Sequence, residues 1–153
     1  MTIQSDSTFN PSSNVGECTG IAYYANVVTP NTTFADKWEV NLVLDDETLA
    51  EFEARGHEIK EKDYGRFLNF KRNVERTGGG TNKRPALIDE NRRLTDSLPL
   101  IGNGSTVRVQ YSEYDWAFQG KEGKGRDLRA IQLLDLVEYA SPDGEGMYDE
   151  EDF

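Results

Sequence analysis

The sequence predicts an all-β domain: five strands closed into a barrel, with one short helix between the second and third. Three observations carry this prediction. Five stretches rich in β-branched and aromatic residues are separated by Gly-, Pro- and Asn-bearing segments. Several of them alternate apolar and polar residues at period two. Only one segment carries helix signals at both ends.

Residues 1–17 are polar, rich in Ser, Thr and Asn, and read as a disordered arm. TGIAYYANVVTP, from Thr19 to Pro30, reads as the first strand. KWEVNLVLD sets Trp38, Val40, Leu42 and Leu44 on one side and Glu39 and Asn41 on the other, as a half-buried strand does. DDETLAEFEARG then offers Asp45 or Asp46 as N-cap, acids in the first turn and Gly56 as the residue that ends the helix. GRFLNFKRNV is the third strand, with Leu68, Phe70 and Val74 of one parity and Phe67, Asn69, Lys71 and Asn73 of the other. ERTGGGTNKRP reads as a glycine-rich basic loop, and PALIDENRRL is ambiguous. STVRVQYSEYDW is the fourth strand, with Val107, Val109 and Tyr111 alternating against Arg108, Gln110 and Ser112. GKEGKGR reads as a second basic loop leading to DLRAIQLLDLVEY, taken as the closing strand. Closure removes the exposed edges of so small a sheet, and the five-stranded candidate is the OB-fold. The expected division is an arm at 1–17, a barrel domain at 18–140 and an acidic tail at 141–153.

Composition excludes several classes. Residues 1–17 have neither the basic nor the apolar region of a signal peptide, and no apolar run approaches the roughly 20 residues of a membrane span. One cysteine, Cys18, excludes an internal disulfide framework. One histidine, His57, offers little for a metal or nucleophile site and reads as a surface residue near a helix end. These features predict a soluble protein of the cytoplasm. Catalysis has weak support. Asp45, Asp46 and Glu47 fit a helix start, where acids offset the dipole. Asp89, Glu90 and Asp135 have no spacing that demands a magnesium ion, and GGGTNKRP lacks the Gly-Lys-Ser/Thr of a P-loop. No enzyme activity and no cofactor are predicted.

Charge is segregated along the chain. Residues 143–153 hold six acids and no base, so they account for more than half of the net charge of -11. Residues 66–93 hold eight bases against three acids, and Lys121, Lys124, Arg126 and Arg129 form a second basic group. Aromatic rings lie among these bases. A positive groove with rings on which bases stack is how single-stranded nucleic acid is held, at ~1–3 kcal/mol per stacked base. Phe67, Tyr114, Trp116 and Phe118 are the candidate stacking residues, because each has the parity opposite to its strand's core residues. Lys71, Arg72, Lys83, Arg84, Lys121, Lys124 and Arg126 are the candidate phosphate contacts. The end, DEEDF, adds a portable handle: Phe153 to fill an apolar pocket, and Asp149, Glu150, Glu151 and Asp152 to meet bases around it. The 11 residues 143–153 can extend at most ~37 Å, far enough to fold back over a domain whose radius of gyration is ~13 Å and compete with nucleic acid.

Residues 19–153 resemble the single-stranded DNA-binding proteins of T7-like and related tailed phages. The resemblance rests on GIAYYANVVTP, KWEVNLVLD, IKEKDYGRFLNFKR, LIGNGSTVRVQY, DLRAIQLLDLVEY and the acidic end with its final Phe. It implies sequence-independent binding of single-stranded DNA in phage DNA replication, recombination and repair. It further implies recruitment of the phage DNA polymerase and helicase-primase through the tail, and a homodimer formed partly through that tail. The alternative reading of the charge is an acidic DNA mimic that inhibits a host nucleic-acid enzyme. The basic stretch at 66–93 argues against it.

Overall fold

Period-two alternation becomes a barrel because each of its five strands has one apolar face to bury. The computed structural model describes residues 7–31, 36–76 and 78–138. In chain order the elements are β1 (Thr8–Asn10), β2 (Val15–Asn31), β3 (Lys37–Val43), α1 (Asp46–Ala54), β4 (Lys60–Lys62), β5 (Gly65–Asn73), β6 (Ala86–Ile88), β7 (Leu94–Thr95), β8 (Ser105–Phe118) and β9 (Lys121–Asp135). The barrel strands run β5-β3-β2-β8-β9. A parallel contact between β5 and β9, at Lys71 and Asp127, closes the ring. Counting only barrel strands, the order is third-second-first-fourth-fifth and back to the third. This is a five-stranded OB-like barrel, as the sequence predicts.

The inward residues follow the predicted parity. Val40 and Leu42 of β3, Leu68 and Phe70 of β5, and Val107, Val109 and Tyr111 of β8 are all fully buried. Helix α1 covers one end of the barrel. Asp45 caps it by accepting from the Thr48 N–H at 2.9 Å, and Asp46 and Glu47 occupy its first turn. Its buried Leu49 and Phe52 face the core, with the Phe52 ring 5.4 Å from Tyr111 and 6.1 Å from Phe70. Gly56, at φ +97°, ends it as predicted. The Gly56 N–H bonds the Glu53 carbonyl and the His57 N–H bonds the Phe52 carbonyl, a Schellman ending.

Three sequence expectations are corrected. The arm is not irregular throughout, since β1 pairs with the first residues of β2 (Thr8 with Glu17, Asn10 with Val15). The Phe9 ring packs under the Arg55 guanidinium, 4.1 Å away, which gives this hairpin an apolar anchor. The ambiguous segment after Pro85 forms two short strands, β6 running parallel to β9 and β7 pairing back on β6. The second basic segment is not a loop. Residues 121–126 are the start of β9, and with the end of β8 they form a long hairpin. Its two-residue turn is Gln119-Gly120, both at positive φ (50° and 78°), as a type I′ hairpin turn requires. The predicted tail and its partner-binding residues 149–153 lie outside the described residues, as do residues 1–6.

Candidate nucleic-acid interface

The β8–β9 hairpin, β4 and the outer face of β5 together form a trough. Within the hairpin, Tyr114 stands opposite Gly125 and Trp116 opposite Gly123. A Cβ on Gly123 would come within 2.7 Å of the Trp116 ring, and one on Gly125 would run into the Tyr114 ring. Each ring therefore rests on a strand where no side chain stands. Its other side is open: Tyr114 and Trp116 are each 43% exposed, and Phe118 near the tip is 69% exposed.

Three adjoining cavities make the trough continuous. A central one of about 350 Å³ is lined by Lys60, Asn69, Lys71, Tyr114, Trp116, Lys124, Gly125 and Arg126. It shares Lys71 and Tyr114 with a cavity of about 440 Å³ that also reaches Arg72, Arg76 and Asn82. It shares Trp116 and Lys124 with one of about 580 Å³ that runs along the hairpin to Gly56 and Glu122. Lys71 is half-buried at the junction. Burial holds its amine below the usual lysine range, and neighbouring Lys37 adds to the effect. Glu39, directly opposite on β3, offsets part of this, and an anion in the trough would favour the charged amine further. Burial likewise lifts the Tyr114 phenol above its usual value.

The structure sorts the predicted residues into three groups. Lys71, Lys124, Tyr114 and Trp116 line the trough. Lys124 also pairs with Asp115 beside it. Lys83, Lys121 and Phe118 are exposed at its margins, and Arg84 is half-buried in the loop after β5. Phe67 is covered, and Arg72 and Arg126 line the trough with their guanidiniums committed to partners within the barrel. Phe67 is on the outer face as its parity requires, but it is only 3% exposed. The Tyr64 ring covers it at 5.3 Å, so it offers no open face. Arg72 forms a two-pronged pair with Asp127, at 3.0 and 2.7 Å, and bonds the Lys83 carbonyl. Its guanidinium fastens β5 to β9 where the barrel closes.

Arg126 points into the end of the barrel. Its Nε donates to the Asn69 carbonyl at 2.8 Å and its Nη1 to His57 Nδ1 at 2.7 Å. An arginine can only donate, so Nδ1 accepts and the ring proton sits on Nε2, 3.1 Å from Glu113 Oε1. Glu113 also binds Arg55, at 2.9 Å. His57 is therefore not a surface residue. It is 4% exposed, because the Schellman ending turns the chain back beneath α1. Burial pushes the imidazole below its ordinary value, partly offset by Glu113 and assisted by Arg126 and Arg55.

Sequence reasoning missed Lys60, Arg76, Asn69 and the ring cluster of Tyr23, Tyr24 and Tyr64. Lys60 stands opposite Phe67 across the β4–β5 hairpin and Tyr64 sits in its turn; the surrounding EIKEKDYGR balances three bases against three acids, so charge did not single them out. Among the described residues, no group of three His, Cys, Asp or Glu is placed to hold a metal ion.

No family model matches this chain, and no curated protein matches it in sequence. Solved structures do. The crystal structure of gp2.5, a single-stranded DNA-binding protein encoded by bacteriophage T7, matches with a TM-score of 0.60 at 16% identity, over 93% of each chain. The single-stranded DNA-binding protein from bacteriophage Enc34 in complex with single-stranded DNA matches with a TM-score of 0.67 at 10% identity, over 92% of this chain and 97% of that one. In fold, this chain resembles those phage proteins. At identities this low the likeness establishes the architecture alone.

Proposed function

We propose that this chain binds single-stranded DNA without sequence preference, acts in phage DNA replication and recombination, and is not an enzyme. The observation that carries this is the pair of open rings, Tyr114 and Trp116, seated on Gly125 and Gly123 above a trough lined by Lys60, Lys71 and Lys124. Rings accept any base, because every base has a π-face, and lysines meet phosphates, which carry no sequence. An arginine fork is one common way to read a guanine edge. Two of the three arginines lining the trough, Arg72 and Arg126, are tied to Asp127 and to Asn69 and His57. The phage proteins of like fold, themselves single-stranded DNA-binding proteins, support the same reading.

The proposal extends to the acidic end. Residues 143–153 compete with DNA for the lysines of the trough and, when displaced, recruit replication partners such as the polymerase and helicase-primase. Their six acids without a base support this.

The test is a salt titration of binding to a fluorescent dT oligonucleotide, with the full chain and a 1–142 truncation side by side. The expected result is binding that weakens with salt, at a slope of about -0.7 per phosphate neutralised, and is tighter in the truncation. Equal affinity at low salt would refute competition by the tail. No binding by either form would refute the single-strand reading and favour the DNA mimic.

A further inference from the structure

Tyr24 has a backbone that bulky side chains rarely adopt, with φ at +54°. It follows Tyr23 in β2, so regular alternation would send its ring into the barrel. Ala22 and Val27 are buried and Ala25 packs against the core, and the register with β3 shifts between Tyr23 and Asn26. This is a bulge, and it re-aims one side chain. Tyr24 is turned out onto the face that Tyr23 already occupies and is 60% exposed. Side chains hold it there. The Tyr24 N–H donates to Asn103 Oδ1 at 2.8 Å, and its carbonyl accepts from Asn26 Nδ2 at 3.2 Å.

The ring joins a cluster. Tyr64 stacks on Tyr23 with centroids 4.1 Å apart and planes at 15°, and the Tyr24 ring meets Tyr64 edge-on at 5.9 Å. A cluster that only covered the sheet would bury its rings, as it does Phe67. Here the strained residue is the most exposed member, so the strain serves exposure and not packing.

The cluster is continuous with the trough. Asn69, Asn41 and Tyr23 stand in one row across β5, β3 and β2. Asn69 donates to Asn41 Oδ1 at 2.9 Å, and Asn41 donates to the Tyr64 hydroxyl at 3.1 Å. Asn69 lines the central cavity, so Tyr23 lies two strand spacings, about 10 Å, from the trough. Asn69 also donates to Glu39 Oε1 at 3.1 Å, and Lys37 meets that carboxylate at 3.8 Å, so the charge beside the row is a paired one, with Lys60 and Lys71 at its trough end.

We infer that Tyr24 and Tyr64 are a second base-stacking platform, across β5 and β3 from Tyr114 and Trp116, and that a single strand lying in the trough continues over the row Asn69-Asn41 to reach it. This inference rests on the single-strand reading above. A ligand that spans both platforms must be longer than one that fills the hairpin side alone.

The test uses the full chain and a series of fluorescent dT oligonucleotides of increasing length. Tyr24→Asn removes the ring and keeps a residue that tolerates positive φ. Trp116→Ala serves as the control for the hairpin platform. The expected result is that Tyr24→Asn weakens binding of long oligonucleotides by about fivefold or more and leaves the shortest bound length unchanged, while Trp116→Ala weakens all lengths. Unchanged binding by Tyr24→Asn at every length, with loss in Trp116→Ala, would overturn the second platform and leave the single-strand reading standing. Failure of the unaltered chain to bind any length would overturn both.

Discussion

The two halves of β8 are one continuous strand with opposite fates. In the first half Val107, Val109 and Tyr111 are fully buried, facing Leu133, Ile131 and Leu128 of β9. In the second half every residue from Tyr114 to Phe118 is exposed, although the apolar content is no lower. The difference lies in what surrounds each half. β2 pairs with β8 from Ser105 to Ser112, so among the described residues the second half has only β9 beside it. β9 offers leucine and isoleucine to the first half and glycine to the second, at Gly125 and Gly123. Glycine alone does not expose a ring, since Tyr111 stands opposite Gly16 of β2 and is buried. Beyond the reach of β2, a ring on a glycine seat lies against the backbone and keeps its other face free.

The largest expected effects separate the halves. Tyr111→Ala empties a fully buried site against Phe52 and Phe70 and should cost about 3–5 kcal/mol of stability, read as a fall in thermal midpoint. Trp116→Ala should leave the midpoint nearly unchanged, within about 0.5 kcal/mol. It should weaken single-strand binding by about 1–3 kcal/mol. A Trp116→Ala chain that melts early would show that the hairpin is part of the core and break the distinction. Because Trp38 is buried, quenching of tryptophan fluorescence on binding should vanish with Trp116.

This contrast also shows what the sequence could disclose. Strand existence and inward parity were legible in β3, β5 and β8, where alternation is uninterrupted. In β9 the strand was legible but its parity was not, because its register with β8 shifts between Gln110 and Tyr111. Counted at period two from Ile131 and Leu133, Gly125 points inward and Arg126 outward. The extra residue at Arg129 reverses this, placing Arg126 inside and the glycines beneath the rings. Bulges leave no reliable mark in a single sequence, and the same holds for Tyr24. Phe67 had the right parity, but Tyr64, carried over it by the β4–β5 turn, could not be foreseen from alternation. His57 was closer to legible. A glycine at the residue after the helix cap predicts that the next residue packs back against the last turn, which is where His57 lies, 5.2 Å from the Phe52 ring.

The glycine seats give a sharper test of the comparison. Gly125→Val puts a branched side chain where the Tyr114 ring now rests, so the ring must leave the trough. Binding should weaken about as much as in Tyr114→Ala, by about 1–3 kcal/mol. The two changes should not add, because both remove the same ring from the same place. Additive losses in the double variant would mean that Gly125 contributes something other than a seat, such as close approach of the ligand to the strand.

The smallest effect expected is a slope with pH, and it tests how the hairpin is held to the barrel. Glu113 and Arg126, at the base of the hairpin, both meet His57, and Arg55 joins them through Glu113. Burial places the His57 imidazole below its ordinary value of 6.5. The unfolded chain therefore takes up this proton more readily than the folded one. From that difference, stability should be level above about pH 6.5 and should fall as the pH drops below it, toward the folded value. His57→Gln cannot take up the proton and should flatten the slope just below pH 6.5, measured as denaturant midpoints across a pH series. If the slope survives the substitution, another group is responsible. If instead stability rises on acidification in the unaltered chain, Glu113 outweighs burial and the imidazole is charged in the folded state.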